Sequence, residues 1–97
     1  MTLSEYLDSV TAGRMPPDLS PALRALWHDR AGDWDEAHRI AQDIDDSVGA
    51  RVHAYLHRKE GDSDNAGYWY RRAQCAPFRG SLDDEWADIV STLTPAT

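Results

Sequence analysis

Four histidines are the residues of this 97-residue chain whose type and spacing could bind a metal ion. His53 and His57 are four residues apart, so on a helix their imidazoles lie one turn apart and can share one ion. His28 lies 29 residues before His57, at the equivalent place in an earlier predicted helical hairpin. His38 follows His28, on the second helix of that hairpin. The candidate ligands are His28, His53 and His57. We favour packing of these rings between helices over metal ligation and over a switch that responds to pH, because interior histidines with one hydrogen-bond partner are common. No cofactor is predicted.

A second group of residues suits the binding of another protein. Residues 51–72 carry a net charge of +2 in a chain of net −7, so the remaining residues carry −9. A basic segment between acidic neighbours could bind an acidic peptide, or pair with a second copy of the chain as a homodimer. Alternatively, this charge pattern has no role in binding. Acidic residues at helix N-termini and basic residues at helix C-termini interact favourably with the helix macrodipole, which would account for the same pattern. The residues that we assign to partner binding are Arg51, Tyr55, Arg58, Tyr68 and Arg72.

The sequence contains no arrangement typical of a catalytic nucleophile. Cys75, the one cysteine, excludes an intramolecular disulfide, and we predict that it is a small buried apolar residue. The serines fall at predicted helix ends rather than in a nucleophile elbow, and the six glycines form no phosphate-binding loop. We therefore predict a protein that is not an enzyme.

Size and charge narrow the class of protein further. The length suits a single domain, residues 1–97. A net charge of −7 argues against nucleic-acid binding, which needs clustered lysine and arginine. No apolar run approaches the ~20 residues that span a bilayer, and the first ten residues contain Glu5 and Asp8 where a signal peptide would be basic. We expect a cytoplasmic protein without a membrane segment.

Start and stop signals predict an all-α fold of about six helices. Serine, threonine or aspartate precedes each apolar stripe of helical period, and glycine or proline follows most of them. The predicted flanking helices cover residues 2–12 and 82–94, and two helical hairpins cover residues 20–45 and 46–76. The predicted caps are Thr2, Ser20, Asp33, Asp62 and Ser81, with Asp45, Asp46 and Ser47 as alternatives for the fourth helix.

An internal repeat supports the two hairpins. The string GDWDEA, which begins at Gly32, recurs as GDSDNA from Gly61. This helix–glycine–aspartate–helix pattern resembles a tetratricopeptide repeat, although its spacing is shorter than the usual ~34 residues. The resemblance implies a ligand groove lined by the outward faces of the two first helices: Ala22, Leu26, Asp29, Arg51, Tyr55 and Arg58. The string HAYLHRKEGD, with NAGYWYRRA after it, also resembles a group of short bacterial proteins, which implies no chemistry.

Three functions follow as hypotheses. The first is a non-catalytic protein–protein interaction module that uses the basic face of the second hairpin. The second is a metal-binding or metal-sensing protein that uses the histidines. The third is a structural unit that assembles with itself through opposed charged faces.

Overall fold

The computed structural model describes residues 1–94, which form six α-helices and contain no β-strand. This confirms the predicted all-α class with about six helices. Within the described residues, no helix is both long and apolar enough to cross a membrane. The helices are α1 (Leu3–Ala12), α2 (Pro21–Arg30), α3 (Trp34–Gln42), α4 (Ser47–Lys59), α5 (Ser63–Arg72) and α6 (Leu82–Leu93).

Each helix begins directly after the residue predicted to cap it. In every case the cap side chain accepts a hydrogen bond from the backbone N–H three residues later, which satisfies one of the unpaired amides of the first turn. The predicted caps are therefore confirmed, and among the three alternatives for α4 the cap is Asp46. The six caps are Thr2, Ser20, Asp33, Asp46, Asp62 and Ser81.

The two copies of the repeated string fold alike. Gly32 and Gly61 have φ angles of +94° and +89°, a conformation that glycine adopts without steric cost. The amide of the following aspartate donates to the carbonyl oxygen five residues earlier, over 2.8 Å in the first copy and 2.9 Å in the second. This bond closes the C-terminus of one helix while the same aspartate caps the next. Each copy thus makes a tight connection between two helices.

Helix α4 lies at the centre of the molecule. It packs against α2, α3, α5 and α6, while α2 also packs on α3 and α6. The apolar stripe that the sequence predicts for this helix is Val48, Val52, Tyr55 and Leu56, and the last three of these are buried. His53 and His57 are buried as well, in agreement with the expectation that these rings pack between helices. Burial extends around α4 because four neighbouring helices enclose it.

The flanking helices close the core through aromatic side chains. The Tyr6 hydroxyl on α1 donates to the carbonyl of Leu23, over 2.5 Å, and the Trp86 indole N–H on α6 donates to the carbonyl of Leu26, over 3.0 Å. The Tyr6 and Trp86 rings lie 5.8 Å apart between centroids. Both side chains are fully buried, with their polar atoms paired as buried hydroxyl and indole groups require. α1 and α6 therefore meet over α2.

Candidate functional site

The face that the repeat resemblance predicted as a ligand groove is covered by α6 of the same chain. Arg51 binds Asp88, with 2.7 Å between Nη2 and Oδ2. Arg58 binds Glu85, with 2.9 Å between Nη1 and Oε1, and also donates to the carbonyl of Gly80. The carboxylates that pair with this basic face belong to α6, the last helix of the same chain. Both arginines are therefore already paired within the chain.

Tyr55 lies inside the molecule, although the sequence placed it on a partner-binding face. Its side chain is 3% exposed, and its hydroxyl donates to Oδ2 of Asp29 over 2.7 Å. The other Asp29 oxygen accepts a hydrogen bond of 2.9 Å from Lys59. Burial, together with the hydrogen bond to Asp29, raises the pKa of Tyr55 above its usual value. Tyr55 thus joins α4 to α2 and is not accessible to a partner.

The other two residues assigned to partner binding lie on the surface of α5. Tyr68 is 44% exposed, and Arg72 is exposed and donates to the Tyr68 hydroxyl over 3.0 Å. The Arg72 guanidinium also lies 5.4 Å from the centre of the Trp69 ring. Arg71 is exposed beside them. Neither Arg71 nor Arg72 forms an ion pair within residues 1–94. We call Tyr68, Arg71 and Arg72 the α5 face.

A cleft of about 330 Å³ lies beside the α5 face. Asp45 and Asp46 line it from the turn between α3 and α4, and Trp69 and Arg72 line it from α5. His53 of α4 also contributes to its lining. The cleft therefore combines acidic, basic, aromatic and imidazole groups, and it connects the α5 face with the histidines.

Three of the four histidines converge between α3 and α4. His38, His53 and His57 each offer a ring nitrogen, and these three atoms lie within 4.8 Å of one another. The closest pair is Nε2 of His38 and Nε2 of His53, which are 2.9 Å apart. At that distance one nitrogen donates and the other accepts, so a single proton is shared between the two rings. We call these three residues the histidine cluster.

Two tryptophans and one carboxylate orient the histidine cluster. The Trp34 ring stacks on His38, with centroids 4.9 Å apart, and the Trp69 ring stacks on His53 at 3.9 Å. His57 bonds Oε1 of Glu60 through Nδ1, over 2.7 Å. With Nδ1 engaged, Nε2 is the remaining nitrogen of His57 that is available to a ligand.

Burial keeps two rings of the cluster neutral. Loss of solvent, followed by the proximity of the other two histidines, lowers the pKa of His53 to about 4. Burial, followed by the proximity of His57, also lowers the pKa of His38, against a smaller opposing effect of Glu60. A charged imidazolium is disfavoured where water is excluded and a second positive charge would lie close by. At neutral pH His53 is therefore unprotonated at one nitrogen, the form in which imidazole binds metals.

His28 does not join the histidine cluster, although the sequence grouped it with His53 and His57. It lines a separate surface cleft with Glu36 and Arg39. Its place is taken by His38, which the sequence offered only as a possible fourth ligand. A signal was present, because His38 and His53 lie at equal distances on either side of the Asp45–Asp46 turn. Residues related in this way face each other when two consecutive helices pack side by side.

Cys75 is exposed, so its prediction as a buried residue was wrong. Helix α5 ends at Arg72, and Gln74 has a φ angle of +60°, which turns the chain away from the helix axis. Cys75 therefore lies in the connection to α6 rather than on an apolar helix face.

No protein-family model, curated protein or solved structure matches the chain.

Proposed function

We propose that this protein is a non-catalytic protein-binding module that holds an acidic peptide segment of a partner protein on its α5 face. The observation that carries this proposal is a pair of adjacent arginines without ion pairs, next to an exposed tyrosine. Four of the nine arginines pair with carboxylates of the same chain, and the other five pair with none within the described residues. Of these five, only Arg71 and Arg72 are adjacent in the sequence, and they lie beside the exposed Tyr68. The four paired arginines are Arg30, Arg39, Arg51 and Arg58.

The α5 face has the composition of a binding surface. Arginine and tyrosine are enriched among residues that dominate protein–protein binding energies. Arg72 is already held by the Tyr68 hydroxyl and lies over the Trp69 ring, so less conformational freedom is lost when it binds a partner. A guanidinium can hold a carboxylate with two parallel hydrogen bonds, which are stronger than bonds between neutral groups. These features favour a partner with a carboxylate near an apolar or aromatic group.

The surrounding charge restricts which acidic partners fit. The chain carries a net charge of −7, so it repels acidic proteins in general while the α5 face attracts them locally. Asp45 and Asp46, across the cleft, repel a carboxylate that approaches from their side. A bound acidic side chain is therefore directed to Arg71 and Arg72, and we expect binding to weaken as salt increases.

The test is selection of random peptides on the immobilised wild-type chain, followed by fluorescence anisotropy with the enriched sequences. We expect enrichment in aspartate and glutamate. The Arg71→Gln/Arg72→Gln variant should bind the selected peptides at least about tenfold more weakly, which corresponds to about 1.4 kcal/mol. Helical circular dichroism establishes that the variant is folded.

The matched control is Arg14→Gln/Arg79→Gln, which removes the same charge from two exposed arginines elsewhere on the chain. This variant should bind the peptides as the wild type does. Peptides without acidic enrichment, or equal losses in both variants, would contradict the proposal. Self-association of the wild type that disappears in the Arg71→Gln/Arg72→Gln variant would instead favour assembly of this chain with itself.

A further inference from the structure

We propose that the histidine cluster is a binding site for a divalent transition metal ion of the zinc type, with His38, His53 and His57 as its three protein ligands. The ring nitrogens already lie within 4.8 Å of one another, and two of them are 2.9 Å apart. Nitrogen ligands of a tetrahedral zinc ion with Zn–N bonds of 2.0–2.1 Å are separated by about 3.3 Å. His53 and His57 now stack with centroids 5.0 Å apart, and rotation of the rings brings the three nitrogens to ligand distance. The proton between His38 and His53 moves to Nδ1 of the ring that carries it, which leaves both Nε2 lone pairs to the ion.

The helices hold the three ligands in a fixed arrangement. His53 and His57 are one turn apart on α4, and both are buried. The short turn between α3 and α4 brings His38 against them, with centroid distances of 4.7 Å to His53 and 5.1 Å to His57. Three histidines and one open position form the usual protein contribution to an accessible zinc site. The helices thus bring the three rings together before any ion binds.

The contacts around the cluster are those that metal-binding histidines use. Metal-ligating imidazoles usually donate their second nitrogen to a carboxylate or carbonyl, which fixes the orientation of the ring. His57 makes such a contact with Glu60, over 2.7 Å. Trp34, which stacks on His38, is itself held by a 2.8 Å hydrogen bond from its indole N–H to the carbonyl of Leu56. Glu60 and Trp34 therefore hold the rings of His57 and His38 in their orientations.

An ion has a route to the cluster from solvent. His38 is only partly buried, and His53 lines the cleft beside the α5 face. A bound ion can therefore keep a water molecule or an exogenous group in its fourth position. The alternative occupant of the site is the shared proton alone, with three imidazoles that only pack against one another.

The experiment uses the untagged chain, treated with a chelator and titrated with Zn²⁺, Ni²⁺ or Co²⁺ by isothermal calorimetry. We expect one ion per chain, and an intense visible absorption from bound Co²⁺ typical of tetrahedral coordination. His38→Gln should weaken binding at least tenfold. Glu60→Gln should weaken it less than the loss of a ligand, because it changes only the orientation of His57.

The matched control is His28→Gln, the same substitution at the one histidine outside the cluster. It should bind Zn²⁺ as the wild type does, and Zn²⁺ should raise the melting temperature of both. Imidazole NMR resonances of His38, His53 and His57 should shift with Zn²⁺, while those of His28 stay unchanged. Absence of binding to all three ions, or binding that His28→Gln weakens and His38→Gln does not, would overturn the proposal.

Discussion

The hydroxyl of Tyr70 donates a 2.5 Å hydrogen bond to Oε2 of Glu85, a carboxylate with no exposed surface. The other oxygen of Glu85 accepts from Arg58 over 2.9 Å. One buried side chain of α6 thus binds α4 and α5 together, and both of its oxygens are satisfied, as a buried charge requires. Arg58, although 27% exposed, is therefore held by a carboxylate of its own chain.

Removal of this carboxylate should be strongly destabilising. Glu85→Ala leaves Arg58 and Tyr70 without their shared acceptor, so we expect the free energy of unfolding to fall by about 3–5 kcal/mol. Glu85→Gln keeps an acceptor of the same shape, and the expected loss is smaller, about 1–3 kcal/mol. Urea unfolding measures both. Asp8→Asn, on the exposed side of α1, is the control with the same loss of charge, and an equal effect there would contradict the argument.

Alkaline pH should unfold the protein through its buried tyrosines. Burial is the largest cause that raises the pKa values of Tyr6, Tyr55 and Tyr70 above the ordinary value of 10.0, and nearby carboxylates add to it. The folded state keeps these protons where the unfolded state loses them. Stability from these groups is therefore complete below pH 10 and declines as the pH rises beyond it.

The measurement for this prediction is phenolate absorbance recorded together with helical circular dichroism. Three of the four tyrosines should ionise only as the helical signal disappears. Tyr55→Phe should remove one phenolate from that coupled transition. Ionisation of all four tyrosines with an unchanged helical signal would show that the buried hydroxyls are accessible in the folded chain.

Three glycines should respond differently to alanine substitution. Gly61→Ala should cost about 1–2 kcal/mol, because its φ of +89° is unfavourable for a residue with a Cβ. Gly67→Ala should instead stabilise by about 0.5–1 kcal/mol, since the position is inside α5 and the added Cβ makes only an ordinary contact with Arg71, 3.6 Å away. Gly49→Ala should destabilise, because the Cβ would lie 2.6 Å from that of Ile44. Thermal unfolding of the three variants gives the signs directly.

The thiol of Cys75 should react in the folded protein. Cys75 is exposed after the end of α5, so a disulfide reagent such as Ellman's reagent should titrate one thiol per chain without denaturant. Cys75→Ser should change the free energy of unfolding by less than about 0.5 kcal/mol, as exposed substitutions usually do. A thiol that reacts only in denaturant would show that the connection between α5 and α6 covers it.

The helix boundaries were predictable because capping is local. Each cap and the amide that it binds are three residues apart. A cap such as Asp33 or Asp62, followed by an apolar stripe of helical period, therefore indicates a helix start wherever the helix later packs. The repeated glycine–aspartate turn was predictable for the same reason. The histidine cluster was partly predictable: His53 and His57 follow from helical spacing, whereas His38 required knowledge of how α3 lies on α4.

The sequence by itself determined the number of helices, their ends and the turns that pair them, because those features depend on contacts between residues a few positions apart. Only the tertiary structure decided which polar residues are available for function. The sequence assigned both Tyr55 and Tyr68 to partner binding. In the structure Tyr55 is buried and its hydroxyl donates to Asp29, 26 residues earlier, whereas Tyr68 is exposed. Likewise, α6 covers Arg58 and not Arg72. Such outcomes depend on which helix packs on which face, a choice set by the burial of the whole core rather than by any local pattern.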